Sequence, residues 1–119
     1  MIAALMQENS SQNIDTFSIG FDNKEFDESA HARTIASHLQ TNHHEMIVSP
    51  ADSLEMIPRL HQVYDEPFAD SSQIPTLLLS QFTSKHVSVA LSGDGADELF
   101  GGYNRYLIAS KYWLSLIHI

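Results

Sequence analysis

Cysteine is absent from these 119 residues, which removes disulfides, thiolate zinc sites and a cysteine nucleophile from the chain. Basic residues are scarce: six Lys and Arg stand against fifteen Asp and Glu, for a formal net charge of −9. Backbone binding to nucleic acid needs a basic stripe, so nucleic acid is not an expected partner. An anionic ligand would need metal ions or backbone N–H groups to offset repulsion. No apolar run approaches the roughly 20 residues of a membrane span. The opening MIAALMQENSSQ carries no basic residue of the kind that starts a signal peptide. A membrane is therefore not expected as a partner, and the chain reads as a soluble cytoplasmic protein. Glycine is also sparse, five in all, yet four of the five fall between positions 93 and 102.

The apolar pattern places that cluster. Met1–Gln7 reads as the tail of an amphipathic helix. Thr16–Phe21 reads as a buried strand. Asp27 is the expected N-cap of a helix reaching Leu39, with Ala32, Ile35, Ala36 and Leu39 on its apolar face. His44–Val48 is a second strand. Ser49 followed by Pro50 starts a helix that uses Leu54, Ile57 and Leu60, kinks at Pro58 and ends near Tyr64. Ile74–Phe82 is helical, with Ile74, Leu77, Leu78 and Phe82 inward. Val87–Leu91 reads as a third strand, and a further helix begins near Asp97, interrupted at Gly101–Gly102. Strands alternating with helices at this spacing predict an α/β fold built on a parallel sheet. The pattern opens inside a helix and closes on the apolar LSLIHI, so residues 1–119 are expected to be part of one domain, truncated at both ends.

Ser92–Glu98 then follows a strand, where open α/β sheets bind ligands. Gly93 and Gly95 permit a sharp turn and a close backbone approach, and Asp97 and Glu98 sit near a helix start. Two readings follow: a tight strand-to-helix turn capped by acids, or a nucleotide contact with carboxylates that hold magnesium. A dinucleotide fingerprint fails, because Glu98 stands where its third glycine belongs. A P-loop fails for want of Gly-Lys-Ser/Thr, and a calcium loop fails at Ala96 and Leu99. Paired carboxylates could serve a glycosidase, but no sugar platform accompanies them.

The seven histidines invite a metal reading. His43 and His44 are adjacent, and on a strand they point to opposite faces. His31 and His38 lack the i, i+4 spacing of helical zinc ligands. Surface or strand-edge histidines are the better reading. Tyr103, Tyr106, Tyr112 and Trp113 are expected to pack a helix. Asp65, Glu66 and Asp70 lie on a loop stiffened by Pro67 and Pro75, and serve either a substrate or the solvent.

Together the segments TFSIGF, FDESAHARTIASHL, NHHE, YDEPFADSSQIPT and VALSGDGADELFGGYNRY resemble the synthetase domain of glutamine-hydrolysing asparagine synthetases, in that family's order. The resemblance implies an adenine-nucleotide α-hydrolase-like fold, with ATP and Mg²⁺ as cofactors. It implies adenylation of a carboxylate, that of aspartate, and attack by ammonia drawn from glutamine. Residue by residue, Ile19 and Gly20 match the backbone that meets adenine. Ser92 and Gly93 match the ATP-contacting turn, and Asp94 the position near the reacting acyl group. Asp97 matches the acid that holds magnesium, with Glu98 its neighbour. The family's Ser-Gly-Gly-x-Asp-Ser-Ser loop, its glutaminase domain and its downstream lysine are absent from this chain. The glutaminase domain is expected upstream in the complete protein. The loop's strand would lie between Thr16–Phe21 and Val87–Leu91, so those two strands are expected not to pair. A β-lactam-forming or peptide-cyclising relative and a non-catalytic remnant are the alternatives.

Overall fold

A computed structural model describes residues 1–22, 27–66 and 69–116, with the side chains of 110, 111 and 113–116 set aside. The polar loop at 23–26, Pro67, the packing of Trp113 and the end of LSLIHI lie outside the described residues. Two parallel strands, β1 (Asp15–Phe21) and β2 (Asn42–Val48), make the sheet. Their register pairs Thr16 with His43, Phe17 with His44 and Gly20 with Ile47. A helix, α2 (Ser29–Leu39), crosses between them, as parallel pairing requires. Ahead of β1 lies α1 (Ile2–Glu8), tied to it by the Ile14 N–H, which donates to the Gln7 side-chain oxygen at 3.0 Å.

Alternation along the strands separates two faces. Helix α2 covers one, where Arg33 grips Glu45 through both carboxylate oxygens, at 2.7 and 3.0 Å from Nη2. The other face carries Phe17. Its ring meets Phe82, edge-on at 5.9 Å, on the helix α5 (Gln73–Thr83). His44 stacks on Phe17 at 4.9 Å and His86 lies 4.5 Å from His44, closing an aromatic cluster. The neighbouring His43 turns the other way, bonding Thr16 and Ser18 at 3.0 and 3.2 Å. The two adjacent histidines therefore occupy opposite faces, as strand geometry demands.

The segment after β2 starts with a capping box. Ser49 Oγ accepts from the Asp52 N–H, Asp52 accepts from the Ser49 N–H, and Pro50 takes the first helical position. That helix, α3 (Pro50–Met56), passes into a 3₁₀ turn at Ile57–Arg59 and a short α4 (Leu60–Val63). The break falls at Pro58, where the ring denies the α-helical hydrogen bond. Pro75 is not a loop residue: it sits in the first turn of α5, where its missing N–H costs nothing.

Two expectations about packing change. The residue that α3 buries is Met56, while Leu54 and Ile57 stay exposed, and α2 buries Ala36 while Ile35 stays exposed. With so few layers above them, the outer members of each apolar stripe find nothing to pack on. The larger correction concerns Val87–Leu91, which forms no strand. Val89 is 81% exposed and Leu91 66%. A strand exists by pairing, and no third strand joins the sheet among the described residues. The absence of pairing between 16–21 and 87–91 agrees with expectation; the loss of the strand itself does not. After it come α6 (Ala96–Phe100) and α7 (Asn104–Leu116), separated at Gly101.

Candidate functional site

The turn Ser92–Glu98 is built from short-range bonds. Ser92 Oγ donates to Asp94 Oδ2 at 2.9 Å. The Ala96 N–H reaches the Gly93 carbonyl at 3.2 Å, and the Leu99 N–H the Gly95 carbonyl at 3.1 Å. Gly95 has φ +83° and caps α6 from the left-handed region; Gly101 does the same at the other end with φ +68°. These two glycines have a backbone reason. Gly93 has none of that kind: a Cβ there would meet nothing within 4 Å among the described residues. The whole stretch is exposed, with Leu99 82% accessible.

The acids differ in their commitments. Glu98 Oε1 accepts from the Tyr103 hydroxyl at 2.6 Å. That bond holds the Glu98 carboxyl below the usual range, with smaller help from its own backbone N–H and from Arg105, and it pushes the Tyr103 phenol up. Arg105 lies 4.0 Å over the Tyr103 ring. Asp97 folds against Gly102, where a Cβ would collide with its carboxylate oxygen and stand 2.9 Å from its Cγ. Asp97 and Glu98 are successive on α6, so their side chains diverge around the helix. Among the described residues no three His, Asp or Glu side chains gather closely enough to hold a metal. As folded here, the pair by itself does not fit a magnesium ion.

Ile19 and Gly20 belong to a different locality. Ile19 lines a cavity of about 580 Å³ with Ser18, Glu28, His31, Ala32 and Ile35. None of the residues 92–98 contributes to it. Gly20 is buried, and a Cβ there would stand 2.6 Å from Ile47 Cδ1, 2.9 Å from Asp27 Oδ1 and 3.0 Å from Ser29 Cβ. A side chain at 20 would displace Ile47 and Asp27, so packing gives glycine a reason here apart from any ligand. The expected cap also shifts: Glu28 is the N-cap of α2, while the Asp27 carboxylate accepts from the Ser29 N–H at 3.1 Å, the Ser29 hydroxyl at 3.0 Å and the Phe21 N–H at 3.4 Å. The Ser29 N–H, then its hydroxyl, hold the Asp27 carboxyl below the usual range. Asp27 therefore clips the end of β1 to the start of α2. The sequence signal was present in the run Asp27-Glu28-Ser29, a short acid two residues before a helical serine.

Of the acidic loop, Asp70 accepts from the Ser72 N–H at 2.8 Å, which holds its carboxyl below the usual range. Tyr64 spans the loop, donating to the Gln73 carbonyl at 3.1 Å. A second cavity, about 600 Å³, opens beside it between the strand ends and α3, lined by Phe21, Val48, Leu54, Ile57 and Ile74 among others.

The family profile described as asparagine synthase matches residues 1–119, the whole chain. The chain belongs to the asparagine synthase family. A putative glutamine-hydrolysing asparagine synthetase 2 of Methanocaldococcus jannaschii is 44% identical over 92 residues, 77% of this chain and 18% of that protein. The glutamine-hydrolysing asparagine synthetase 1 of Bacillus subtilis is 42% identical over 91 residues, 76% of this chain and 14% of that protein. A putative member from Mycobacterium bovis is 38% identical over 91 residues. The chain thus spans less than a fifth of the length of these curated relatives. No solved structure gives a significant match. Among the described residues of this family member, no helix is long and apolar enough to cross a membrane.

Proposed function

We propose that this chain is part of the ligase domain of an ATP-dependent, glutamine-hydrolysing asparagine synthetase, with an adenine-nucleotide α-hydrolase-like fold in the complete domain. The family match over the whole chain carries the reading. In it, the side-chain carboxylate of aspartate is adenylated by ATP, pyrophosphate leaves, and ammonia released from glutamine in a separate domain attacks the acyl-adenylate to give asparagine and AMP. Ile19 and Gly20 lie on the adenine side. Ser92 and Gly93 offer hydroxyl and bare backbone to the nucleotide, and the Ser92 hydroxyl steers the Asp94 carboxylate toward the acyl group. Magnesium would supply charge neutralisation for the departing pyrophosphate. Asp97 is the acid assigned to it, with Glu98 beside it, and further donors must come from outside the described residues. Cytoplasmic placement belongs to the same reading.

A chimera tests it: residues 1–119 replace the matching segment of the Bacillus subtilis relative. Aspartate-dependent exchange of pyrophosphate into ATP is expected, and Asp94→Asn or Asp97→Asn in the chimera is expected to reduce it at least roughly tenfold, the scale on which single charged groups act on a transition state. A chimera that folds, by circular dichroism, yet shows no exchange overturns the reading. The isolated chain is expected to form no asparagine from ATP, aspartate and ammonia.

A further inference from the structure

The two edges of β1 are used differently. The Ile14 carbonyl accepts from the Asn42 N–H at 2.9 Å, and Asp15 stands opposite Asn42 in the parallel register. Alternate residues of a strand send their N–H and C=O groups to opposite edges. Thr16, Ser18 and Gly20 therefore bond to β2, while Asp15, Phe17, Ile19 and Phe21 turn theirs to the other edge, which pairs with no strand among the described residues. At the end of that edge the Phe21 N–H donates to Asp27 Oδ1 at 3.4 Å. Two residues earlier, the Ile19 N–H and C=O meet no hydrogen-bond partner among the described residues, and Ile19 lines the cavity of about 580 Å³ that Glu28 and His31 also line. Asp27 is itself anchored on α2: Oδ1 accepts from the Ser29 N–H at 3.1 Å and Oδ2 from the Ser29 hydroxyl at 3.0 Å.

From this arrangement we infer that Asp27 is a positioning residue for nucleotide binding: it fixes the end of β1 against α2 and so holds the Ile19 N–H and C=O in place for a ligand at the open edge. The inference rests on the ligase reading, in which Ile19 and Gly20 lie on the adenine side. A ligand that bonds to a backbone edge binds more tightly when that edge is already ordered. Without the carboxylate, the last residues of β1 have no tie across the open edge, and the nucleotide must order them as it binds. The bonds of Asp27 among the described residues run to Phe21 and Ser29, and none reaches residues 92–98. Its loss therefore falls on nucleotide affinity and not on the chemical step.

Two measurements test this. In the isotope-labelled 119-residue chain, the Phe21 amide is expected to exchange hydrogen more slowly than the Ile19 amide, each normalised for its intrinsic rate, and Asp27→Ala should abolish the difference. In the chimera, Asp27→Ala should raise the ATP concentration for half-maximal pyrophosphate exchange roughly fivefold, the factor one hydrogen bond is worth, with the maximal rate and the aspartate dependence kept. Asp27→Asn keeps an acceptor but loses the charge that roughly doubles such a bond, so its rise should be about twofold. A merely structural junction would lower the maximal rate, through the amount of active protein, and leave half-saturation unchanged. That result overturns the inference, as does a Phe21 amide that exchanges as readily as that of Ile19. Where circular dichroism shows Asp27→Ala unfolded, Asp27→Asn decides, and an unchanged half-saturation overturns the inference. Absence of exchange in the unsubstituted chimera counts against the ligase reading; exchange whose ATP dependence ignores Asp27 counts against this inference alone.

Discussion

A single carboxylate joins the first strand to the helix that follows it. Asp27 accepts bonds from Phe21 and Ser29 while its Oδ1 lies at the spot a side chain on Gly20 would claim. Its folded carboxyl titrates below an unfolded one, so the folded state binds fewer protons and gains stability wherever an unfolded aspartate is ionised. That contribution is complete above the unfolded value, about pH 3.9, and is lost as pH falls through the lower folded value. The protection of the Ser29 amide against hydrogen exchange, normalised for the intrinsic rate, should therefore decline on the acid side of that point. Asp27→Asn should lower protection at neutral pH and flatten the decline; an unchanged profile would mean that the bonds to Ser29 do not hold the junction. Such side-chain roles were partly visible beforehand. The acid-serine pairing could be read from spacing, although it is Glu28 that caps α2. The sequence points Gly20 at nucleotide and is silent on Ile47, because that close approach depends on cross-strand register. It points Tyr103 at helix packing, because the bond to Glu98 spans a reversal whose geometry no pattern specifies.

Elements formed where local signals and a packing partner coincide. Helix α3 has its capping box and proline, and α5 has Leu77 buried and Phe82 against Phe17. Val87–Leu91 has the β-branched composition of a strand but no neighbouring strand among the described residues, and it forms no strand. This gives a contrast between two valines. Val48, at the end of β2, is 3% exposed, whereas Val89 is almost fully exposed. Removing two buried methyl groups costs about 1.5 kcal/mol, so Val48→Ala should lower the hydrogen-exchange protection of the β1 and β2 amides. Val89→Thr should leave that protection where it is. Equal losses for both would show that 87–91 is buried in a strand after all. The sequence pattern was a good guide to helix positions because caps, prolines and apolar spacing act within a few residues. It was a poor guide to the third strand because pairing is not a local property. Ala36 is buried as the spacing predicts, but Ile35, Leu54 and Ile57 stay exposed and Met56 is buried without having been singled out, since a stripe says that a face is apolar but not what covers it.

At the scale of the molecule the surface is too large for the mass. A folded monomer of this size exposes roughly 6,500 Å², and this chain exposes 9608 Å². Its radius of gyration is 17.8 Å, where a compact domain of the same length has roughly 13.5 Å. Only Ala36, Val48, Met56 and Leu77 form a buried apolar core among the described residues, while Leu5, Leu54, Val63, Leu99 and Phe100 lie in the open. One edge of β1 carries no partner strand among the described residues, and an open edge beside exposed apolar side chains invites association. The net charge of −9 opposes that association, but the repulsion is screened within about 8 Å at physiological salt. The isolated chain is therefore expected to bind an apolar dye such as anilinonaphthalene sulfonate, to melt without a sharp cooperative transition, and to self-associate more as salt rises. Light scattering across a salt series and calorimetry check this directly. A monomer at all salt concentrations with a two-state melt would require a core larger than four residues, and with it a third strand, which the described residues do not contain.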